Sequence, residues 1–151
     1  MNRALATILA LAATLLPHPV LAGPPTFFPR EGGYPFSEAV QAGDVLYLSG
    51  IIAEDNHGKL VPGGIEVESR EVMAQLGKTL AWHGLTYDDV IQCTVFLVDM
   101  KEWAAFNAVY RASFKPDRYP ARAALGATGL ALGARVELQC NAWNPVKKKR
   151  R

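Results

Sequence analysis

The spacing of hydrophobic residues changes several times along the chain, and its first clear feature is a strand. Residues 45–52, VLYLSGII, are rich in β-branched and aromatic side chains and lie between the turn-forming segments AGD and EDNHG. This pattern is typical of a largely buried strand. The preceding FSEAV, residues 36–40, predicts a partner strand across residues 41–44. We therefore expect a β-hairpin near the start of the fold.

Two later segments show helical spacing. After Pro62, apolar residues recur at intervals that predict an amphipathic helix, with Gly84 just beyond its end; these residues are Ile65, Val72, Met73, Leu76 and Leu80. A second helix is predicted from Asp99, with Glu102 as a capping-box partner. Its apolar arc contains Trp103, Phe106, Val109, Tyr110 and Phe114, and Asn107 lies at the margin of that arc.

The remaining strands complete the fold class. Residues 90–98 form a nearly continuous apolar run, which is typical of a central strand covered on both faces. A strand-like segment lies around residues 123–130, and residues 134–143 alternate cleanly. This order predicts an α+β protein with a single mixed β-sheet and two helices packed on one face. Because both sides of the 90–98 strand are largely apolar, we expect the uncovered side to meet another subunit.

The two ends of the chain differ from this pattern. Residues 1–22 are typical of a signal peptide, with Arg3, a 13-residue apolar run and a small-residue cleavage site after Ala22. An uncleaved anchor is the alternative. We expect cleavage, no stable membrane insertion afterwards, and a periplasmic or secreted location. Residues 23–35, rich in Pro and Gly, predict an irregular lead-in, residues 36–145 the folded domain, and residues 146–151 a basic tail.

The full sequence has a net charge of +2, but the part between the first 22 residues and the basic tail is acidic. Five of the 16 basic residues lie in the tail and one in the first 22 residues, so 10 basic residues face 14 acidic ones, a net of −4. This balance predicts no nucleic-acid partner. Cys93 and Cys140 could form a disulfide in an oxidising compartment, although the sequence alone does not bring them together. The two cysteines and the histidines His57 and His83 do not show the close spacing typical of metal ligands, so no metal site is expected.

Four polar residues stand in apolar surroundings, and each has a simple structural explanation. The hydroxyl of Ser49 could bond neighbouring backbone while Gly50 makes a bulge. Asn107 could bridge at a helix edge, and Glu137 could lie on an ordinary solvated strand face. Arg122 could extend its guanidinium to the surface. Singly, none of them defines a function.

In order, however, they resemble a known family. The segments PFSEAV, AGDVLYLSG, LTYDDVIQCTVFLVDM, WAAFNAVY, YPARAAL and ARVELQCNAW are similar to the RidA/YjgF family of reactive-intermediate deaminases, from about residue 34 to residue 143. The resemblance implies a chorismate-mutase-like fold, a trimer with a barrel-like core and sites between subunits. It also implies hydrolysis of small 2-imino and enamine acids, such as 2-iminopropanoate, without a metal or organic cofactor.

The resemblance further assigns roles to individual residues. Arg122 would hold the substrate carboxylate, which a guanidinium matches bidentately, and Glu137 would orient the attacking water. Ser49 and Asn107, with Gly50, would line the pocket. Phe36, Ile51 and Ala124 stand where many members have tyrosine, glutamine and cysteine, so the pocket is expected to be more apolar than usual. A non-catalytic module that binds small carboxylates is the alternative function.

Overall fold

The computed structural model describes residues 23–145; the predicted signal peptide and the basic tail lie outside this range. The strands are β1 (Thr26–Pro29), β2 (Ser37–Ala42), β3 (Val45–Leu48), β4 (Val90–Leu97), β5 (Ala121–Gly126) and β6 (Val136–Trp143). The helices are α1 (Gly64–Trp82) and α2 (Trp103–Ala112). Within the described range, no helix is long and apolar enough to cross a membrane.

All six strands form one mixed sheet in the order β1-β2-β3-β6-β4-β5. The β4–β5 pair is parallel, and the other neighbours are antiparallel. The core lies between one face of this sheet and the two helices, where Val95 and Leu138 meet Leu76 and Phe106. The predicted fold class, a single mixed sheet with two helices, is therefore confirmed.

The prediction of an irregular lead-in over residues 23–35 is wrong for four of those residues. They form β1, which pairs with β2 in the register Phe27 to Val40 and Phe28 to Ala39. Phe28 packs against the core and lies 4.6 Å from the ring of His83, centroid to centroid. Pro29 stands at a bulge in this edge strand, where a missing backbone donor costs little.

Two other boundaries differ from the predictions. The strand expected around residues 123–130 is β5, which begins at Ala121 and ends at Gly126. Asp99 does accept the backbone N–H of Lys101, but it caps a short 3-10 turn that precedes α2. Glu102 is not a capping-box partner, because both of its carboxylate oxygens accept hydrogen bonds from Nε of Arg135 at 2.9 Å.

The start of β6 is held from two sides. Glu68 of α1 belongs by spacing to the polar positions of its helix, yet it is buried. Its carboxylate accepts the backbone N–H of Arg135 at 2.7 Å, and the Arg135 carbonyl accepts the N–H of Val98 at 3.0 Å. A buried carboxylate needs such partners. These bonds fix the backbone two residues before Glu137.

The face of the sheet opposite the helices is open in a single chain. Cys93, Val95 and Leu97 of β4 point to the helices and are buried, whereas Thr94 and Phe96 on the other side are only half-buried. Large apolar side chains lie exposed on this open face, namely Tyr47, Leu125 and Trp143. Residues of β4 therefore alternate between a buried helix face and a partly exposed open face, and the subunit contact predicted for the open face stays a prediction.

Cys93 and Cys140 form a disulfide between β4 and β6. They are register partners on adjacent strands, and both side chains are fully buried on the helix face. Glu137 lies on the opposite face, so the disulfide is outside its surroundings, as expected from the alternation of β6.

We expect reduction of this disulfide to lower the free energy of unfolding by about 4 kcal/mol, because the bond closes a loop of about 47 residues in the unfolded chain. Urea unfolding of the oxidised and reduced protein at equal concentration measures the difference. As a control, reductant added without urea should leave the buried bond intact. Coincident unfolding curves would contradict a stabilising role.

Candidate active site

Glu137 is the carboxylate of the first candidate cluster. It lies on β6, whose residues alternate between buried and accessible positions, and its side chain points to the open face beside Phe96. The residue is half-buried. On its other side, β3 has already ended at Leu48, so no strand covers the carboxylate there.

The space beside Glu137 is made by a β-bulge. Tyr47 pairs with Asn141, and the next pairing joins Ile51 to Leu138, so the three residues 48–50 lie opposite the two residues 139–140. The bulge expected at Gly50 is therefore present. Ser49 makes the side-chain-to-backbone hydrogen bond that a purely structural role predicts, because its hydroxyl donates to the Ser37 carbonyl at 2.6 Å. The same serine lines a neighbouring depression rather than facing Glu137.

Gly50 is required by the Glu137 side chain. A Cβ at this position would overlap Oε1 of Glu137 and would stand 3.0 Å from its carboxyl carbon. The absence of a side chain therefore lets the carboxylate lie against the bulge. Gly50 and the Glu137 carboxylate therefore lie in direct contact, and their shared role in a pocket stays a prediction.

In the role that the family resemblance implies for Glu137, we expect Gly50→Ala to displace its carboxylate and to lower imine hydrolysis about ten- to hundredfold, since small misplacements of a reacting group are costly. The fold should persist, because the group that must move is the flexible end of a side chain. Steady-state kinetics and thermal unfolding measure the two effects. Gly129→Ala is the matched control, because no atom lies within 4 Å of its added Cβ. Equal kinetics for both variants would contradict the contact.

A cleft of about 360 Å³ opens next to Glu137. Its walls include Phe36, Ile51 and Leu132, together with Tyr34, whose ring lies 5.4 Å from that of Phe36. Phe36 was predicted to belong to the site, and the structure places it with Glu137 and Gly50.

Arg30 also lines this cleft and was missed by the sequence analysis. Its guanidinium lies 4.9 Å from the centroid of the Tyr34 ring and 3.7 Å from the Glu54 carboxylate. Arg30 directly follows β1, a strand that the Pro- and Gly-rich composition of residues 23–35 did not predict. The available signal was the β-favouring run Thr-Phe-Phe just before it.

Arg122 belongs to a second cluster, formed with α2. Its guanidinium carbon lies 4.7 Å from the ring centroid of Tyr110, 5.7 Å from that of Trp103 and 6.0 Å from that of Phe106. Asn107 lines the same depression. Arg122 is exposed, and within residues 23–145 it makes no ion pair. A cation held on ring faces without an anionic partner is available to an external anion.

Tyr110 supplies a neutral ring to this cluster. Burial raises the pKa of Tyr110 to about 12, and the nearby Arg122 guanidinium offsets part of that rise. The phenol therefore stays protonated at neutral pH and contributes its ring rather than a charge. Its hydroxyl is buried and has no hydrogen-bond partner among the described residues.

The two clusters do not meet within one chain. Arg122 is the register partner of Cys93 and shares its helix-side face, whereas Glu137 is the register partner of Phe96 on the open face. Asn107 therefore lies with Arg122, and Phe36 and Gly50 lie with Glu137. Ala124 is half-buried and packs against the core beside Val95 instead of lining either space.

Fold and site together define a class: a single-sheet α+β protein with a carboxylate cluster and a guanidinium cluster on opposite faces of one sheet. Residues 31–144 match the sequence profile described as Endoribonuclease L-PSP. The chain belongs to this family, which is the RidA/YjgF family, and the predicted resemblance is confirmed.

Individual relatives agree with this assignment. The chain is 37% identical over 109 residues to 2-iminobutanoate/2-iminopropanoate deaminase of Mus musculus, covering 72% of this chain and 80% of the relative. The crystal structure of yeast Mmf1 superposes with a TM-score of 0.71 at 30% identity, covering 82% of this chain and 98% of Mmf1. RidA from a Psychrobacter species superposes with a TM-score of 0.70 at 27% identity, covering 77% and 93%.

Proposed function

We propose that this protein is a homotrimeric deaminase that hydrolyses 2-imino and enamine acids, such as 2-iminopropanoate, to 2-oxo acids and ammonia. The observation that carries the proposal is the pair of incomplete clusters: Glu137 beside the Gly50 bulge, and Arg122 on its aromatic rings without an anion. A relative 37% identical to this chain is named 2-iminobutanoate/2-iminopropanoate deaminase.

Assembly through the open face would complete the site. That face exposes Tyr47, Leu125 and Trp143, a set of large apolar side chains that favours burial against another copy. In a cyclic trimer the same two surfaces meet at every interface. One of these surfaces would be the open face with the Glu137 cleft, and the other would be the sheet edge formed by β5, so that the Arg122 cluster of one copy would face the Glu137 cleft of the next.

The chemistry of these groups suits hydrolysis of a C=N bond. Arg122 would bind the carboxylate of the imine, and Glu137 would accept a proton as water attacks C2 of the protonated imine. The carbinolamine that results would take a proton on nitrogen, expel ammonia and leave the 2-oxo acid. One water is consumed and one ammonia is released, and no electron acceptor is required.

A small anionic substrate is also favoured over RNA, although the family description includes the word endoribonuclease. Within residues 23–145 the 10 basic residues are outnumbered by 14 acidic ones. Proteins that bind RNA through its phosphates need an excess of positive charge on the binding face.

Competition for the imine tests the proposed activity. An L-amino-acid oxidase generates 2-iminopropanoate from alanine, and semicarbazide traps it as the semicarbazone. The purified protein is expected to suppress semicarbazone formation and to release pyruvate and ammonia in equal amounts. Binding of pyruvate without any suppression, at high protein concentration, would instead indicate the carboxylate-binding module.

We also propose that the protein is exported after removal of residues 1–22. The buried Cys93–Cys140 disulfide supports an oxidising destination. Amino-terminal sequencing of the protein recovered from the extracytoplasmic fraction is expected to begin at Gly23. Recovery of a chain that begins at Met1 would contradict cleavage.

A further inference from the structure

The residues that line the cleft beside Glu137 indicate which substrate side chain this cleft would accept. Phe36 and Leu132 border this cleft with 45% and 59% of their surfaces exposed, and Ile51, which also lines it, is half-buried. Large apolar side chains exposed together in a concave site are typical of ligand contact.

Leu132 is held in an unusual backbone conformation. Its φ is 56°, and it is the one residue other than glycine with positive φ in the described part of the chain. This conformation is unfavourable for an L-residue with a side chain, because its Cβ crowds the following carbonyl oxygen. A strained backbone that presents an exposed leucine to a cleft is a feature associated with functional sites.

Three polar residues of the cleft, Arg30, Glu54 and Gln75, already have partners within the chain. Arg30 pairs with Glu54 at 3.7 Å. The Gln75 amide donates to the Glu54 carbonyl at 2.8 Å and to the Glu71 carboxylate at 3.1 Å. Among residues 23–145, Glu137 is the charged residue of the cleft that has no ion pair, and it would repel an acidic side chain. The surface that the cleft presents to a ligand is therefore mainly its apolar walls.

The reaction geometry places the substrate's side chain against these walls. A water activated by Glu137 must approach C2 of the imine to about 3 Å. The carbon atoms that follow C2 then lie in the cleft of about 360 Å³, which exceeds the needs of a methyl group. Each additional buried methylene favours binding in proportion to its apolar surface.

We propose that Phe36, Ile51 and Leu132 form a side-chain subsite that selects 2-imino acids with bulky apolar side chains over 2-iminopropanoate. This inference rests on the proposed function, because it takes Glu137 as the group that holds the attacking water. Leu132 is a specificity-determining residue in this account.

Paired substrates test the subsite. Imines of leucine and alanine are generated with an L-amino-acid oxidase, and kcat/KM is measured for each with the purified protein. The leucine-derived imine should be preferred by at least about tenfold, since one methylene in an apolar pocket is worth 10- to 200-fold. An equal or smaller kcat/KM for the leucine-derived imine would overturn the proposal.

Two variants of one residue give the sharpest control. Leu132→Asn tolerates positive φ and has a similar size, so the backbone should persist while the apolar contact is lost. It should reduce the leucine-to-alanine ratio by about tenfold, whereas Leu132→Met should retain it. An unchanged ratio in Leu132→Asn would contradict the role of this residue.

A binding measurement separates this proposal from the activity itself. Failure to hydrolyse either imine would refute the proposed function. The subsite is then decided by equilibrium binding of 4-methyl-2-oxopentanoate and pyruvate, the corresponding 2-oxo acids. About tenfold tighter binding of the larger acid, lost in Leu132→Asn, would support the subsite, and equal binding would refute it.

Discussion

Replacement of Glu137 by glutamine is expected to abolish imine hydrolysis while leaving carboxylate binding intact. Glutamine has nearly the same shape and fits beside Gly50, but it cannot accept the proton of the attacking water. General-base catalysis contributes about 10²- to 10⁴-fold, and we expect kcat to fall by that amount. Steady-state kinetics with imine generated in situ measures the loss.

Binding and stability provide the control for this variant. The dissociation constant for pyruvate should change less than about twofold, because Arg122, rather than Glu137, is the proposed partner of the carboxylate. Glu66→Gln removes a similar charge from an exposed position of α1 and should leave kcat unchanged. Retained turnover in Glu137→Gln would show that another group activates the water.

Arg122→Met is expected to lower kcat/KM by about ten- to hundredfold, since hydrogen bonds to a charged group contribute about 1.5 to 3 kcal/mol. Methionine keeps an unbranched side chain over the rings of Trp103 and Tyr110 and loses only the charged fork. Arg70→Met, on the exposed side of α1, is the matched control. A KM unchanged by Arg122→Met would contradict carboxylate binding.

Mixed trimers of the two inactive variants test whether the site is shared. Arg122→Met and Glu137→Gln chains are co-expressed with different tags, and trimers that carry both tags are purified. If Glu137 of one copy meets Arg122 of the next, every mixed trimer contains one intact site, and about a third of the normal activity should return. Inactive mixed trimers would show that both residues serve a site within one chain.

Local periodicity was enough to predict most elements of the fold. The apolar spacing of α1 and the glycine after its end located that helix, because each turn buries the same face. The alternation of β6 correctly separated Glu137 from Cys140. These features depend on residues a few positions apart, and such information is present in any short stretch of sequence.

Long-range pairing decided what the local pattern could not show. The strand β1 forms because Phe28 packs against the core and the backbone of β1 pairs with β2, although the surrounding segment is rich in proline and glycine. Arg30 enters the candidate site only through that strand. The left-handed backbone of Leu132 is likewise set by the turn that leads into β6.

Taken alone, the sequence determined the period of each element, the family to which the chain belongs and the identity of the polar residues Arg122 and Glu137. Their arrangement was decided by the tertiary structure. Glu137 lies fifteen positions after Arg122 in the sequence, and in the sheet β4 lies between the strands that carry them. Through its register with β4, Arg122 shares the helix face with Cys93, whereas Glu137 shares the open face with Phe96. Alternation along one strand is visible in the local sequence, but whether residues of two different strands share a face depends on hydrogen-bonded register between distant segments, which no local pattern records.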